Sequence, residues 1–187
     1  SLQSRLNLVA TAHGNDLGRR LMEASIEMRM PPSAINKFEI DTVVADVEYG
    51  ADRVLIHRFH GRSAAGTLGA SGEVGLAGPS SLSYVLELGN LTGLRGVIPA
   101  DTLRGSGTIE GAVSGRIDSV MATGRFSLAG IAYNAQRADS AGGEFSILYE
   151  RSGISGSGSA TLSGVAAGGD SVASISAALS YAGNALD

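Results

Sequence analysis

The sequence predicts an elongated, curved, mostly antiparallel all-β sheet. Three observations carry that expectation. Apolar and polar residues alternate along run after run, turn-forming residues separate the runs, and small-residue textures recur along the chain.

The first run is the most ambiguous. Leu17 to Met30 is rich in helix formers, and Asn15 or Asp16 could cap a helix there. Yet Met22, Ala24, Ile26, Met28 and Met30 follow one another with period two, while the helical stripe Leu17, Leu21, Ala24, Met28 is shorter. The spacing therefore predicts a strand over about 20–30, ended by Pro31-Pro32. Beyond it, Val43, Ala45, Val47 and Tyr49 alternate with Val44, Asp46 and Glu48, and Leu82, Tyr84, Leu86 and Leu88 with Ser83, Val85 and Glu87. Phe126 and Leu128 flank Ser127, and Phe145, Ile147 and Tyr149 alternate with Ser146 and Leu148. Each set belongs on one face of a strand. The breaks Tyr49-Gly50-Ala51-Asp52, Leu88-Gly89-Asn90, Ser140-Ala141-Gly142-Gly143 and Gly168-Gly169-Asp170 read as turns.

Small residues alternate with larger ones in three stretches, 66–78, 105–115 and 156–168. Asp118-Ser119-Val120 matches Asp170-Ser171-Val172, and Phe126 falls against Leu179, which gives a loose repeat with an offset of about 53 residues. Repetition predicts growth along one axis. Glycine inside strands predicts bends, bulges or close backbone approach, and so a strongly curved sheet.

Composition narrows the function. Glycine accounts for 27 of 187 residues and proline for 4, which fits neither collagen nor a proline-rich linker. With 43% hydrophobic and 17% charged residues the chain is too apolar for disorder. A net charge of −4 gives no basic footprint for nucleic acid. The absence of cysteine excludes disulfides, thiolate metal sites and a cysteine nucleophile. Ser1-Leu2-Gln3 at one end and Asn184-Ala185-Leu186-Asp187 at the other read as cut from a longer sequence. Residues 1–187 are expected to form one elongated segment, 1–31 as entry strands and 32–187 as the repeats.

No catalytic constellation emerges, and the chain is expected not to be an enzyme or to carry a cofactor. His57 and His60 stand three apart in a strand pattern, which places them on opposite faces and argues against a metal site. Asp46 with Glu48 and Glu144 with Glu150 read as solvated strand faces. Gly105-Ser106-Gly107 opens like a dinucleotide fingerprint, but Glu110 stands where the third glycine belongs. What remains is the apolar face. It would either close against a second sheet or, in an elongated sheet folded into a U, line a trough. The repeat and the absence of helices favour the trough.

Pro32-Ser33-Ala34-Ile35, Ile40-Asp41, Val47-Glu48-Tyr49, Leu55-Ile56 and the run from Gly66 to Val74 together resemble the repeats of the TamB family of translocation and assembly module subunits, and of the wider AsmA-like group. Ser106 to Gly111 and Gly158 to Gly164 fit the same texture, so the resemblance covers most of residues 32–181. It is a likeness of pattern and brings no active-site motif. It implies a β-taco, a U-shaped β structure with a hydrophobic groove, in a protein anchored in the inner membrane that spans the periplasm of a diderm bacterium. It also implies phospholipid transfer to the outer membrane, support of outer-membrane protein assembly, and partnership with a TamA-like barrel protein. The residues expected to line the groove are the apolar alternates Met22, Ile26, Met28, Val43, Val47, Tyr84, Leu86, Leu88, Phe126, Leu128, Phe145 and Ile147.

Two rivals remain. A structural or adhesive β-solenoid of an autotransporter-like protein should keep rungs of about 20–30 residues. A transmembrane barrel needs aromatic girdles, for which 5 Tyr and 4 Phe are few.

Overall fold

The computed structural model describes residues 4–5, 9–15, 23–30, 33–35, 38–94, 103–116 and 118–184. Met22, the Leu17–Met22 part of the helix-like stretch, and Pro31-Pro32 lie outside them. The strands are β1 (Ser4–Arg5), β2 (Val9–Asn15), β3 (Glu23–Met30), β4 (Ser33–Ile35), β5 (Phe38–Tyr49), β6 (Arg53–Ser63), β7 (Gly66–Gly75), β8 (Ser80–Leu88), β9 (Arg104–Arg116), β10 (Ser119–Tyr133), β11 (Gln136–Glu150), β12 (Gly153–Ala167) and β13 (Asp170–Asn184). A single 3₁₀ turn, Leu91–Leu94, is the only helical element among the described residues. The stretch with mixed helix and strand signals is strand from Glu23 to Met30.

All thirteen strands belong to one antiparallel sheet. From β5 to β13 each strand pairs with the next in sequence, so this part is a plain meander. At the other end β3 and β4 share one edge of β5: β3 runs along Val43–Tyr49 and β4 along Phe38–Ile40. β2 then pairs with β3, and β1 with β4. The sheet is open, because among the described residues β13 pairs only with β12.

The strands are long. The last four strands have 15 residues each, roughly 50 Å of extended chain. One break expected from the sequence is absent. Ser140-Ala141-Gly142-Gly143 is not a turn but the middle of β11. Gly143 makes room for the Phe126 ring from β10. The Gly168-Gly169 break is a true two-residue hairpin turn, with φ of 60° and 98°.

Start-to-start spacing over two strands runs from 27 residues (Arg53 to Ser80) to 39 (Ser80 to Ser119) and is near-regular only from β9 onward. Arg104 to Gln136 spans 32 residues and Ser119 to Gly153 spans 34, two strands each. The offset of about 53 instead runs from β10 to β13, three strands apart and opposite in direction. That match reflects similar local composition, not the repeating unit of the sheet.

Among the described residues the sheet has no second layer. Every substantial contact between elements joins sheet neighbours, apart from the 3₁₀ turn against β9. The buried apolar residues are few and mostly small: Ala45, Ala65, Leu88, Leu91, Ala138 and Ala141. The accessible surface is 12628 Å², against about 8,300 Å² expected for a compact protein of this mass.

Candidate functional surface

Directly opposed residues in neighbouring strands project from the same face, so the register sorts the sheet into rows. One row reads Ala45, Phe59, Ala70, Tyr84, Gly111, Gly124, Phe145, Gly158, Leu179. The rows on either side of it on that face include Val47, Ile56, Leu82, Val113, Ala122, Ile147 and Tyr181, and Val43, Leu68, Leu86, Ile109 and Phe126. The opposite face carries Ser71, Ser83, Thr123, Ser146, Ser157, Ser159 and Thr161, with Glu110, Arg125 and Glu144. The molecule thus has one apolar face and one hydroxyl-rich face.

All the described residues expected to line a groove fall in the apolar rows. Val43, Val47, Tyr84, Leu86, Leu88, Phe126, Leu128, Phe145 and Ile147 are on that face. The backbone register opposes Ile26 to Val47 and Met28 to Ala45.

Large residues on this face are seated beside small ones. Phe59 lies between Ala45 and Ala70, Tyr84 between Ala70 and Gly111, and Phe145 between Gly124 and Gly158. The seating is tight. A Cβ placed on Gly124 would come within 2.7 Å of the Phe145 ring and 2.8 Å of the Tyr84 hydroxyl oxygen. One on Gly143 would collide with the Ser159 carbonyl oxygen and lie 2.9 Å from the Phe126 ring. Because Gly111 has no side chain, Tyr84 crosses β9 and donates its hydroxyl proton to the Thr123 carbonyl oxygen of β10, at 3.3 Å. This partial burial raises the Tyr84 pKa above its ordinary value by desolvation.

The two ends of the apolar face differ. At one end Leu91, in the 3₁₀ turn, packs toward Gly105, where a Cβ would lie 3.1 Å from its Cδ1. Ala65, Leu88 and Leu91 are 2%, 4% and 5% exposed, and the Ala65 carbonyl oxygen accepts from the Gly89 and Asn90 amides. At the other end nothing described covers Ile147, Tyr149 and Ile154, which are 45–49% exposed. Leu179 and Tyr181, on the last strand, are 71% and 65% exposed.

Two concavities lie elsewhere. One, about 830 Å³, is bounded by Ser83, Val85, Glu110, Ala112, Thr123, Arg125, Glu144, Ser146, Ser157 and Ser159, around a floor formed by the Tyr84–Gly111–Gly124–Phe145–Gly158 row. These walls belong to the hydroxyl face. Of the twelve residues named from sequence, only Tyr84 and Phe145 border this hollow. The second, about 650 Å³, includes His57, Arg58, His60, Gly69, Ser71, Ser83 and Val85.

That second hollow corrects the expectation for the histidines. Val47 opposes Ile56 and Asp46 opposes Arg58, so His57 is the extra residue of a β-bulge. The bulge interrupts alternation, and His57 joins His60 at the same hollow instead of facing away. His57 pairs with Glu48 at 3.0 Å, and both side chains are largely exposed. Among the described residues no three His, Asp or Glu side chains cluster as metal ligands. Arg125 pairs with Glu110 across β9 and β10, again in an exposed position. No protein-family model, curated protein or solved structure matches this chain.

Proposed function

We propose that the chain is a lipid-transfer scaffold segment of a diderm cell envelope, its apolar face shielding phospholipid acyl chains between inner and outer membranes. The observation that carries this reading is a continuous apolar face with no second layer over it. Its nine central rows of strands, β5 to β13, repeat similar apolar positions at roughly 4.8 Å intervals. Each CH₂ removed from water contributes about 0.8 kcal/mol when fully buried, and the term has no direction. An acyl chain can therefore shift from strand to strand among near-equivalent sites. Tyr84, Phe126 and Phe145 are recessed over glycines, which leaves a low-relief surface there rather than a shaped pocket. The resemblance of residues 32–181 to TamB repeats supports the periplasmic setting and a TamA-like barrel partner.

One observation favours a second reading, a structural or adhesive segment. Both large hollows open among hydroxyl-face residues, not on the apolar face. Photo-crosslinking separates the two. With a photoreactive residue at Leu86 or Phe126 the protein should capture phospholipid in bacteria, and with one at Ser157 on the hydroxyl face it should not. Equal labelling at all three sites, or none, sinks the lipid reading.

A further inference from the structure

The hollow beside the β6 bulge differs from its neighbour in charge. His57, Arg58 and His60 border it, and no described carboxylate does. The larger hollow instead sets Glu110 and Glu144 beside Arg125. In a chain of net charge −4, three basic side chains around one hollow are a local excess.

Two of the three are unpaired. Arg53, Arg116 and Arg125 each form an ion pair with a carboxylate, and Glu48 offsets His57 at 3.0 Å. Among the described residues Arg58 and His60 have no such partner, although Asp46 stands opposite Arg58 in the register. The facing wall carries Ser71 and Ser83, whose Oγ atoms lie 3.4 Å apart in exposed positions. A hydroxyl there can turn its proton toward an incoming oxygen.

The hollow also has room that packing does not explain. On β7, a Cβ placed on Gly66 or Gly72 would collide with the backbone of β8. Gly69, opposite His60, is different: a Cβ there would meet nothing nearer than the Val85 carbonyl oxygen, at 3.9 Å. Close approach thus requires glycine at 66 and 72 but not at 69, where the missing side chain is open volume beside His60.

The geometry points to a binding site for a phosphate group in this hollow, with Arg58 and His60 as its cationic contacts. A planar guanidinium meets two phosphate oxygens at once. Arg58 with His60 answers a doubly charged group better than a single carboxylate, and a phosphomonoester carries roughly −1.5 to −2 near neutral pH. The guanidinium repels a metal cation. A volume of about 650 Å³ falls among small-molecule sites, roughly 300–1,000 Å³. The hollow lies on the hydroxyl face, across the sheet from the acyl-shielding surface, so the inference does not rest on the lipid reading. A phospholipid with its chains on the apolar face cannot place its headgroup here, and the occupant is a soluble phosphate or phosphomonoester.

Amide chemical shifts of the isotope-labelled chain test this. Inorganic phosphate or glycerol 3-phosphate, titrated at fixed pH and ionic strength, should shift the Arg58, His60 and Gly69 signals saturably, with a Kd of about 1 mM. Arg58→Gln should weaken binding at least about tenfold. Gly69→Val, which fills the hollow and removes no charge, should abolish it. Arg125→Gln, which removes the same charge from the neighbouring hollow, should bind as the wild type does. All three should keep the wild-type far-UV circular dichroism. The site is overturned if the shifts do not saturate by about 20 mM, if Arg58→Gln and Arg125→Gln weaken binding alike, or if Gly69→Val binds normally. It is equally overturned if neither soluble phosphate binds and only vesicles containing phosphatidylglycerol bind in an Arg58-dependent way.

Discussion

Glycine in this protein acts as a socket. Gly111 and Gly124 are opposed to one another between Tyr84 and Phe145, and the rings of both aromatic residues reach over them. Gly124→Ala should therefore overpack the face and cost about 2 kcal/mol, which for a chain of this size lowers Tm by roughly 6 °C; thermal unfolding followed by circular dichroism checks this. Tyr84 tests the same site from above. Tyr84→Phe keeps the ring but loses the hydroxyl bond to the Thr123 carbonyl, a loss of about 1 kcal/mol. Its pH dependence has a definite sign. Burial raises the folded-state pKa above that of the unfolded chain, so the folded state holds the proton more tightly. That stability is intact below the unfolded pKa and is lost as pH rises through the folded value. Alkaline unfolding of the wild type should accordingly be steeper than that of Tyr84→Phe, as denaturant titrations on both sides of pH 10 would reveal.

At the scale of the element, alternation is what the strands depend on, and the bulge at His57 is the one place where β6 gives it up. Deleting His57 should restore regular pairing and change stability by no more than about 1 kcal/mol. Deleting Ser83 should cost at least about 3 kcal/mol, because a one-residue slip sends half of β8 to the wrong face. Urea unfolding of the two deletions gives a direct comparison. The same rule explains what could be read in advance. Period-two runs such as Leu82–Leu88 and Phe145–Tyr149 identified both strand and face, and the described groove candidates share one face because the register keeps the rows aligned. Three features were not legible. Gly142-Gly143 looks like a turn, since only the Phe126 ring from β10 reveals its purpose. The histidine bulge depends on pairing with β5, which spacing within β6 does not encode. The cap at Leu91 arises because the chain after β8 folds back toward Ala65, a contact distant from the apolar pattern itself.

At the scale of the whole molecule, a single open layer exchanges core for surface. The radius of gyration in solution should exceed the roughly 16 Å of a compact chain of 187 residues, and small-angle scattering would measure it. A value at the compact limit would mean that the apolar face closes on itself. Exchange should follow the same logic. Amides of β9 to β12, held on both sides, should exchange more slowly than those of β13, held on one.

The two-strand spacing of 32 to 34 residues from β9 to β13 has a consequence for how such a protein can change over generations. A hairpin duplicated in tandem restores strand direction and returns every row to its own face. Each duplication would lengthen the sheet by about 9.6 Å without disturbing the hairpins on either side. Duplicating a single strand would reverse the direction of everything downstream. Length is thus a quantity that inheritance can adjust in steps of one hairpin.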